Sequence, residues 1–223
     1  MRRLLLVLVV GFALLGARAF EGPSSAEASH VNPVLFVHGF TGNSSAFNTM
    51  ASRFAADGWE GGTLWGVNYN SYASNATTAQ TIKSAVDYVK AQTGASKVDI
   101  IAHSMGSLNT RYYLKNLGGQ SSVDDWVSLG GPNHGTIWAY GCAFLTPCAQ
   151  MTPGSSFLNS LNSSDETPGA VTYGTWWSPC DELITPDESV ILSGATNSQT
   201  SCISHGSLLT NSTVYTQVRD FVR

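Results

Sequence analysis

The chain has 223 residues, of which only 12% are charged, and a formal net charge of −4. Eleven lysines and arginines face 15 acids, a balance without the basic surface that a nucleic-acid partner needs. The length suits one domain with a sizeable core, and beyond the N-terminus no apolar run approaches the ~20 residues of a membrane span.

Residues 1–19 read as a secretory signal. Arg2 and Arg3 give a basic start, Leu4 to Leu15 is a 12-residue apolar run, and Ala17-Arg18-Ala19 fits a small-residue cleavage site. The run is too short for a stable membrane anchor. Without this segment eight basic residues remain against 15 acids, a balance of −7. Residues 20–31 are small and polar and are expected to be a flexible extension, with the folded domain expected over 32–223. Four cysteines in an exported chain suggest two disulfides. Three pairings exist; nearness in sequence favours Cys142 with Cys148 and Cys180 with Cys202. No C-x-x-C spacing supports a zinc site, and no metal is expected.

Pro33 to Val37 is a continuous apolar run, as in strands buried on both faces of a parallel sheet, and leads into His38-Gly39-Phe40-Thr41-Gly42. Ser45 to Asp57 reads as a helix with Phe47, Met50 and Phe54 on one face, ended by Gly58. Gly62 to Tyr69 reads as a strand. Thr78 to Thr93 is a helix with Ile82, Val86 and Val89 on one stripe and Gly94 as C-terminal cap. Lys97 to Ala102 is a strand, followed by a helix from Ser107. Val123 to Leu129 is a strand running into Gly130-Gly131-Pro132. Residues 133–168 read as irregular. Val171–Trp176 and Ser189–Ser193 read as late strands, and Ser207–Phe221 as a closing helix. The alternation predicts an α/β fold: a mostly parallel central sheet flanked by helices on both faces.

Between strand and helix stands Ala102-His103-Ser104-Met105-Gly106. Strand, tight turn and helix around a serine is the context of a nucleophile elbow, which exposes an otherwise weak nucleophile beside a base. Ala102 stands where the general G-x-S-x-G pattern has glycine. In such folds the acid and then the histidine follow the serine. His30 and His38 precede it and His103 is its neighbour, leaving His205 and, as the competitor, His134. Asp181 follows a predicted strand and is the acid by position; Glu182, Asp187 and Asp165 are the alternatives. A Cys180–Cys202 bridge would tie the acid and base loops together. Oxyanion donors are expected from the amides of Met105, after the nucleophile, and Phe40, after the first strand. Phe40, Trp65, Tyr69, Trp138, Tyr140, Phe144 and Trp176 are candidates for an apolar groove, and Tyr69, Trp176 and His134 are the expected substrate-binding residues.

The segments Pro33–Phe40, Ala102–Gly106 and Cys180–Pro186 resemble the small secreted bacterial lipases, lipase class 2, of the α/β-hydrolase superfamily. Leu129–Gly135 and Glu166–Gly169 extend the likeness, which runs from about residue 32 to the C-terminus. The resemblance implies cofactor-free hydrolysis of lipid esters, with Ser104 as nucleophile, Asp181 as acid, His205 as base, and Phe40 and Met105 as the oxyanion hole. The expected partner is a lipid or other ester, at an oil–water interface, for an extracellular monomer. A short-chain or polyester esterase is the alternative, and an acyltransferase or peptidase a further one. A non-catalytic relative would have lost part of the triad, whose three residues are all present.

Overall fold

The computed structural model describes residues 32–59 and 62–223. The expected signal (1–19) and extension (20–31) lie outside the described residues. Six strands form one parallel sheet: β1 (Val34–Val37), β2 (Leu64–Val67), β3 (Val98–His103), β4 (Val123–Leu129), β5 (Thr172–Trp177) and β6 (Thr196–Gln199), in the order β2-β1-β3-β4-β5-β6. The described helices are α1 (Asn48–Ala56), α2 (Asn75–Thr93), α3 (Met105–Asn116), α4 (Thr146–Met151), α5 (Ser156–Asn162) and α6 (Ser212–Phe221).

Successive residues of a strand point to opposite faces, and both faces here are apolar. Leu35, Val37, Ile100 and Ala102 pack on one side with Ile82, Val86 and Val89 of α2 and Leu114 of α3. Val34, Phe36, Ile101 and Val127 pack on the other with Met50 and Phe54 of α1 and Val214 and Val218 of α6. A third cluster joins Met105 and Leu108 of α3 to Ala139, Cys148, Met151 and Leu158, above the ends of the strands.

The strands run close to expectation, and the helix ends show why the boundaries moved. Ser74 accepts a hydrogen bond from the Thr77 N–H, so α2 starts at Asn75, and it ends as read at Gly94 in the left-handed region. The 45–57 helix opens as a 3-10 turn, Ser44–Phe47, because Asn43 caps the chain one residue earlier. The expected closing helix is broken: a 3-10 turn covers Gly206–Leu209, and Asn211 then caps α6 by accepting from Thr213 and Val214. The expected strand at 189–193 is instead a 3-10 turn, Asp187–Val190, and the sixth strand lies at 196–199. Val190 and Leu192 owe their apolar pattern to core burial from a loop, whereas β6 is polar and held by Asn197, which bonds Thr175 and both backbone groups of Leu192. The irregular reading of 133–168 is corrected too: the segment carries α4, α5 and a 3-10 turn, Ile137–Cys142. Arg111 and Lys115 of α3 bind its carbonyls at Leu161, Ser163, Asp165 and Glu166.

At the N-terminal end of the sheet Asp99 is fully buried. Its Oδ1 accepts from Asn32 and from the Asp125 N–H, while Oδ2 has no partner among the described residues. Burial, with the negative charge of Asp125 next, pushes this carboxyl up to about 8. The folded chain therefore holds a proton that the unfolded chain releases near pH ~4. Stability from this group is full below that pH and is lost as pH rises through about 8. Asp99→Asn should flatten the fall in melting temperature between pH 5 and pH 9 and leave the variant more stable than the parent at pH 9. Identical pH profiles for the two proteins in thermal unfolding would refute this account.

Candidate active site

The turn after β3 places Ser104 in an unusual conformation. Its φ of 54° and ψ of −132° lie outside the regions ordinary residues favour, a strain typical of functional turns. The surroundings enforce it. The Ser104 N–H donates to the Leu129 carbonyl at 2.9 Å, and α3 begins at the next residue. Gly106 lies so close to the end of β1 that a Cβ there would sit 2.5 Å from the His38 carbonyl oxygen. A Cβ on Gly39 would come within 2.7 Å of the Ser104 Cβ. These two glycines let the helix and the 38–42 loop close around the serine. Ala102 costs nothing in this arrangement, because it is a regular strand residue paired with Val37 and Ser128.

His205 sits 4% exposed at the entry to the 206–209 turn. It is held at three points. Its Nδ1–H donates to Asp181 Oδ2 at 2.7 Å. Its backbone N–H donates to Glu182 Oε2 at 3.0 Å. Its carbonyl accepts from His103 Nε2 at 3.2 Å, with the two rings 4.5 Å apart. The carbonyl is an acceptor only, so His103 carries its proton on Nε2. Burial, then the neighbouring His205, pushes His103 down to about 3, so it stays neutral. With Nδ1 donating to Asp181, His205 Nε2 keeps a lone pair; it is buried and has no partner among the described residues.

Asp181 uses both oxygens. Oδ1 accepts from the Leu183 and Ile184 N–H groups at 3.0 Å each, and Oδ2 from His205. Burial alone would raise its pKa, but the bonds from His205, Leu183 and Ile184 outweigh that and hold it below the ordinary value. The acid and base loops are tied together as expected: Cys180 is bonded to Cys202. Buried Ser178 adds to the bridge, donating to the Ile203 carbonyl at 2.6 Å and accepting from the Cys180 and Ile203 N–H groups. The second disulfide joins Cys142 and Cys148.

Ser104, His205, His103 and Phe40 border one cavity of about 280 Å³, whose other walls include Met151, Trp138 and Leu209. Met105 is the first residue of α3, so its N–H has no acceptor within its own helix. The 38–42 loop that carries Phe40 is firmly set. His38 stacks on Tyr69 with ring centroids 4.1 Å apart, and its Nδ1–H donates to the Gly39 carbonyl at 2.8 Å. The Tyr69 hydroxyl donates to the His38 carbonyl and accepts from Asn109.

Three residues expected to bind substrate do not line this cavity. Tyr69 is occupied in supporting the 38–42 loop. Trp176 is 2% exposed in the core, with its indole N–H on Gln217. His134 bonds Glu166 at 2.7 Å and the Ser189 carbonyl, pinning the loops to one another. Of the seven aromatic candidates for the groove, only Phe40 and Trp138 border it. Conversely, Glu182, expected only as an alternative acid, holds the His205 backbone, and His103 and Ser178 have structural roles that no motif assigned. Their nearness in sequence to Asp181, Ser104 and Cys180 was the available signal. A second hollow of about 500 Å³, bordered by Tyr112, Phe144 and Phe157, offers hydroxyls but no base or carboxylate.

Among solved structures, a lipase from Bacillus licheniformis, BlEst2 in mature form, superposes with a TM-score of 0.76 at 18% identity, over 91% of this chain and 94% of its own. Aspergillus fumigatus lipase B gives 0.69 at 21% identity, over 82% of this chain and 50% of its own. A Listeria innocua protein, the lin2722 gene product, gives 0.65 at 12% identity, over 86% and 94%. These likenesses establish the fold. The family description lipase (class 2) matches residues 31–219, nearly the whole of the described chain. The chain belongs to the class 2 lipase family and is a lipolytic carboxylic ester hydrolase.

Proposed function

We propose that this protein is an exported triacylglycerol lipase that works through an acyl-enzyme on Ser104. The observation that carries this reading is the single open position on an otherwise fixed His205. Its Nδ1 is bound to a buried carboxylate, and its Nε2 lone pair has no partner among the described residues, beside the cavity that Ser104 borders. In this reading Ser104 Oγ attacks the ester carbonyl while its proton passes to His205 Nε2. Asp181 keeps the imidazole in the Nδ1–H tautomer and stabilises the imidazolium. The amides of Phe40 and Met105 donate to the oxyanion, which lowers the barrier by about 3 kcal/mol per donor. The proton then goes to the leaving alcohol, and water attacks the acyl-enzyme by the same route in reverse.

Export is supported by the two disulfides, which form and persist in oxidising compartments. Among the described residues no helix is long and apolar enough to cross a membrane. We read the active unit as a monomer, because one chain supplies every catalytic group. A cavity of about 280 Å³ is at the small end for a ligand site, which favours a second reading, a short-chain esterase. The exposed aromatic rim beside the cavity favours long chains lying partly outside it. The rates on emulsified tributyrin and triolein distinguish the two: a lipase cleaves both, and an esterase leaves triolein intact.

Ser104→Ala should lower ester turnover by at least ~10³-fold with an unchanged near-UV circular dichroism spectrum. Near-parental activity in that variant would remove Ser104 from the mechanism. Glu182 is a positioning residue, since it holds the His205 backbone and not the reacting atoms. Glu182→Ala should lower kcat by roughly tenfold with little change in KM, and Glu182→Gln, which keeps an acceptor oxygen, should restore most of it. Equal losses in both variants would mean that Glu182 acts through its charge instead.

A further inference from the structure

We propose that the disulfide-closed segment 137–148 is a preformed docking platform for the uncharged surface of emulsified acylglycerol. The proposal rests on the lipase reading above and names the part of the molecule that meets the bulk substrate.

Exposed large apolar side chains are concentrated on this segment. Ile137 is 54% exposed, Trp138 45%, Tyr140 60% and Phe144 85%. Large apolar side chains exposed together on one short segment mark an interaction site, and tryptophan and tyrosine suit a boundary with one wet and one apolar side. The patch is continuous with the site, because Trp138 also forms part of the cavity wall. Across the mouth Phe40 borders the cavity and meets the half-exposed Tyr72 edge-on at 5.3 Å.

The platform is held from beneath. Ala139 and Cys148 are fully buried against Met105 and Leu108 of α3. The Ile137 N–H donates to the Thr185 carbonyl at 3.0 Å, and Leu145 N–H to the Cys142 carbonyl at 2.8 Å. The Cys142–Cys148 bond closes the turn that presents Phe144. The apolar side chains are thus already outward, and docking needs no element to open.

Charge decides which surface fits. Residues 126–164 contain no Asp, Glu, Lys or Arg, in a chain where these make up 12%. The facing stretches 38–47 and 68–76 contain none either. An anionic membrane attracts through lysine and arginine; these stretches have neither, the neighbouring 182–188 loop adds only acids (Glu182, Asp187 and Glu188), and the chain as a whole is acidic. Attraction must come from apolar burial, which salt does not screen.

The test is flotation of the full protein with triolein droplets. The triple variant Ile137→Ser, Tyr140→Ser, Phe144→Ser should lower the bound fraction by at least ~10-fold, while kcat/KM on soluble p-nitrophenyl acetate is unchanged. Phe144→Ser alone, at the most exposed position, should give a smaller loss in the same direction and guards against misfolding of the triple variant. Binding of the parent should not weaken between 0.05 and 1 M salt, and should fall when the droplets are doped with phosphatidylglycerol. Undiminished flotation of the triple variant, or binding that salt abolishes, overturns the platform. Because adsorption needs no turnover, a protein that floats normally but cleaves neither ester would refute the lipase reading and leave the platform standing.

Discussion

The site depends on the immobilisation of one residue, His205. Its N–H, its carbonyl and its Nδ1 are each taken by a different partner: Glu182, His103 and Asp181. Those partners come from two places in the sheet. His103 ends β3, directly before the strained serine, and Asp181 and Glu182 follow β5. The base is thereby fixed relative to the nucleophile's own strand as well as to its acid. Such fixing matters because proton transfer is sensitive to displacements of about an ångström. It also explains why His103 must remain neutral: a second charge beside His205 would oppose the imidazolium that the proposed mechanism forms.

The parallel sheet was legible because strands buried on both faces are nearly continuous apolar runs. The β1 segment, Val34–Val37, has that form, β3 and β4 take it up after Asp99 and after Asp124-Asp125, and each lies within a residue or two of its expected place. The β6 strand was not legible. It is a polar edge whose order comes from Asn197 side-chain bonds, which leave no hydrophobic pattern. The neighbouring Val190 and Leu192 have the pattern of a strand while belonging to a loop. Likewise 133–168 looked irregular because its helices are short and held by Arg111 and Lys115 from α3, a cause remote in sequence.

In the candidate site the ordered set Ser104, Asp181, His205 follows from motif order, position and elimination, and the structure brings Asp181 and His205 into contact and puts Ser104 on the cavity that His205 borders. Aromatic residues gave poorer guidance. Tyr69 and Trp176 were attractive as pocket walls because of their type, but type does not reveal whether a ring faces a cavity, a backbone carbonyl or the core. Tyr69 supports the His38 carbonyl and Trp176 fills the layer under α6.

The crossover from β4 to β5 has a consequence of its own. These are adjacent strands, yet more than forty residues separate Leu129 from Thr172, and among them are part of the cavity wall (Pro132, Thr136, Trp138 and Met151) and most of the apolar rim but none of the proposed triad. The stretch leaves the sheet beside the nucleophile and returns to its next-door strand, so its ends are fixed by the scaffold. It is therefore a natural cassette for grafting: exchanging the crossover between homologues alters what the enzyme meets while the chemical apparatus, encoded on either side of it, is carried over intact.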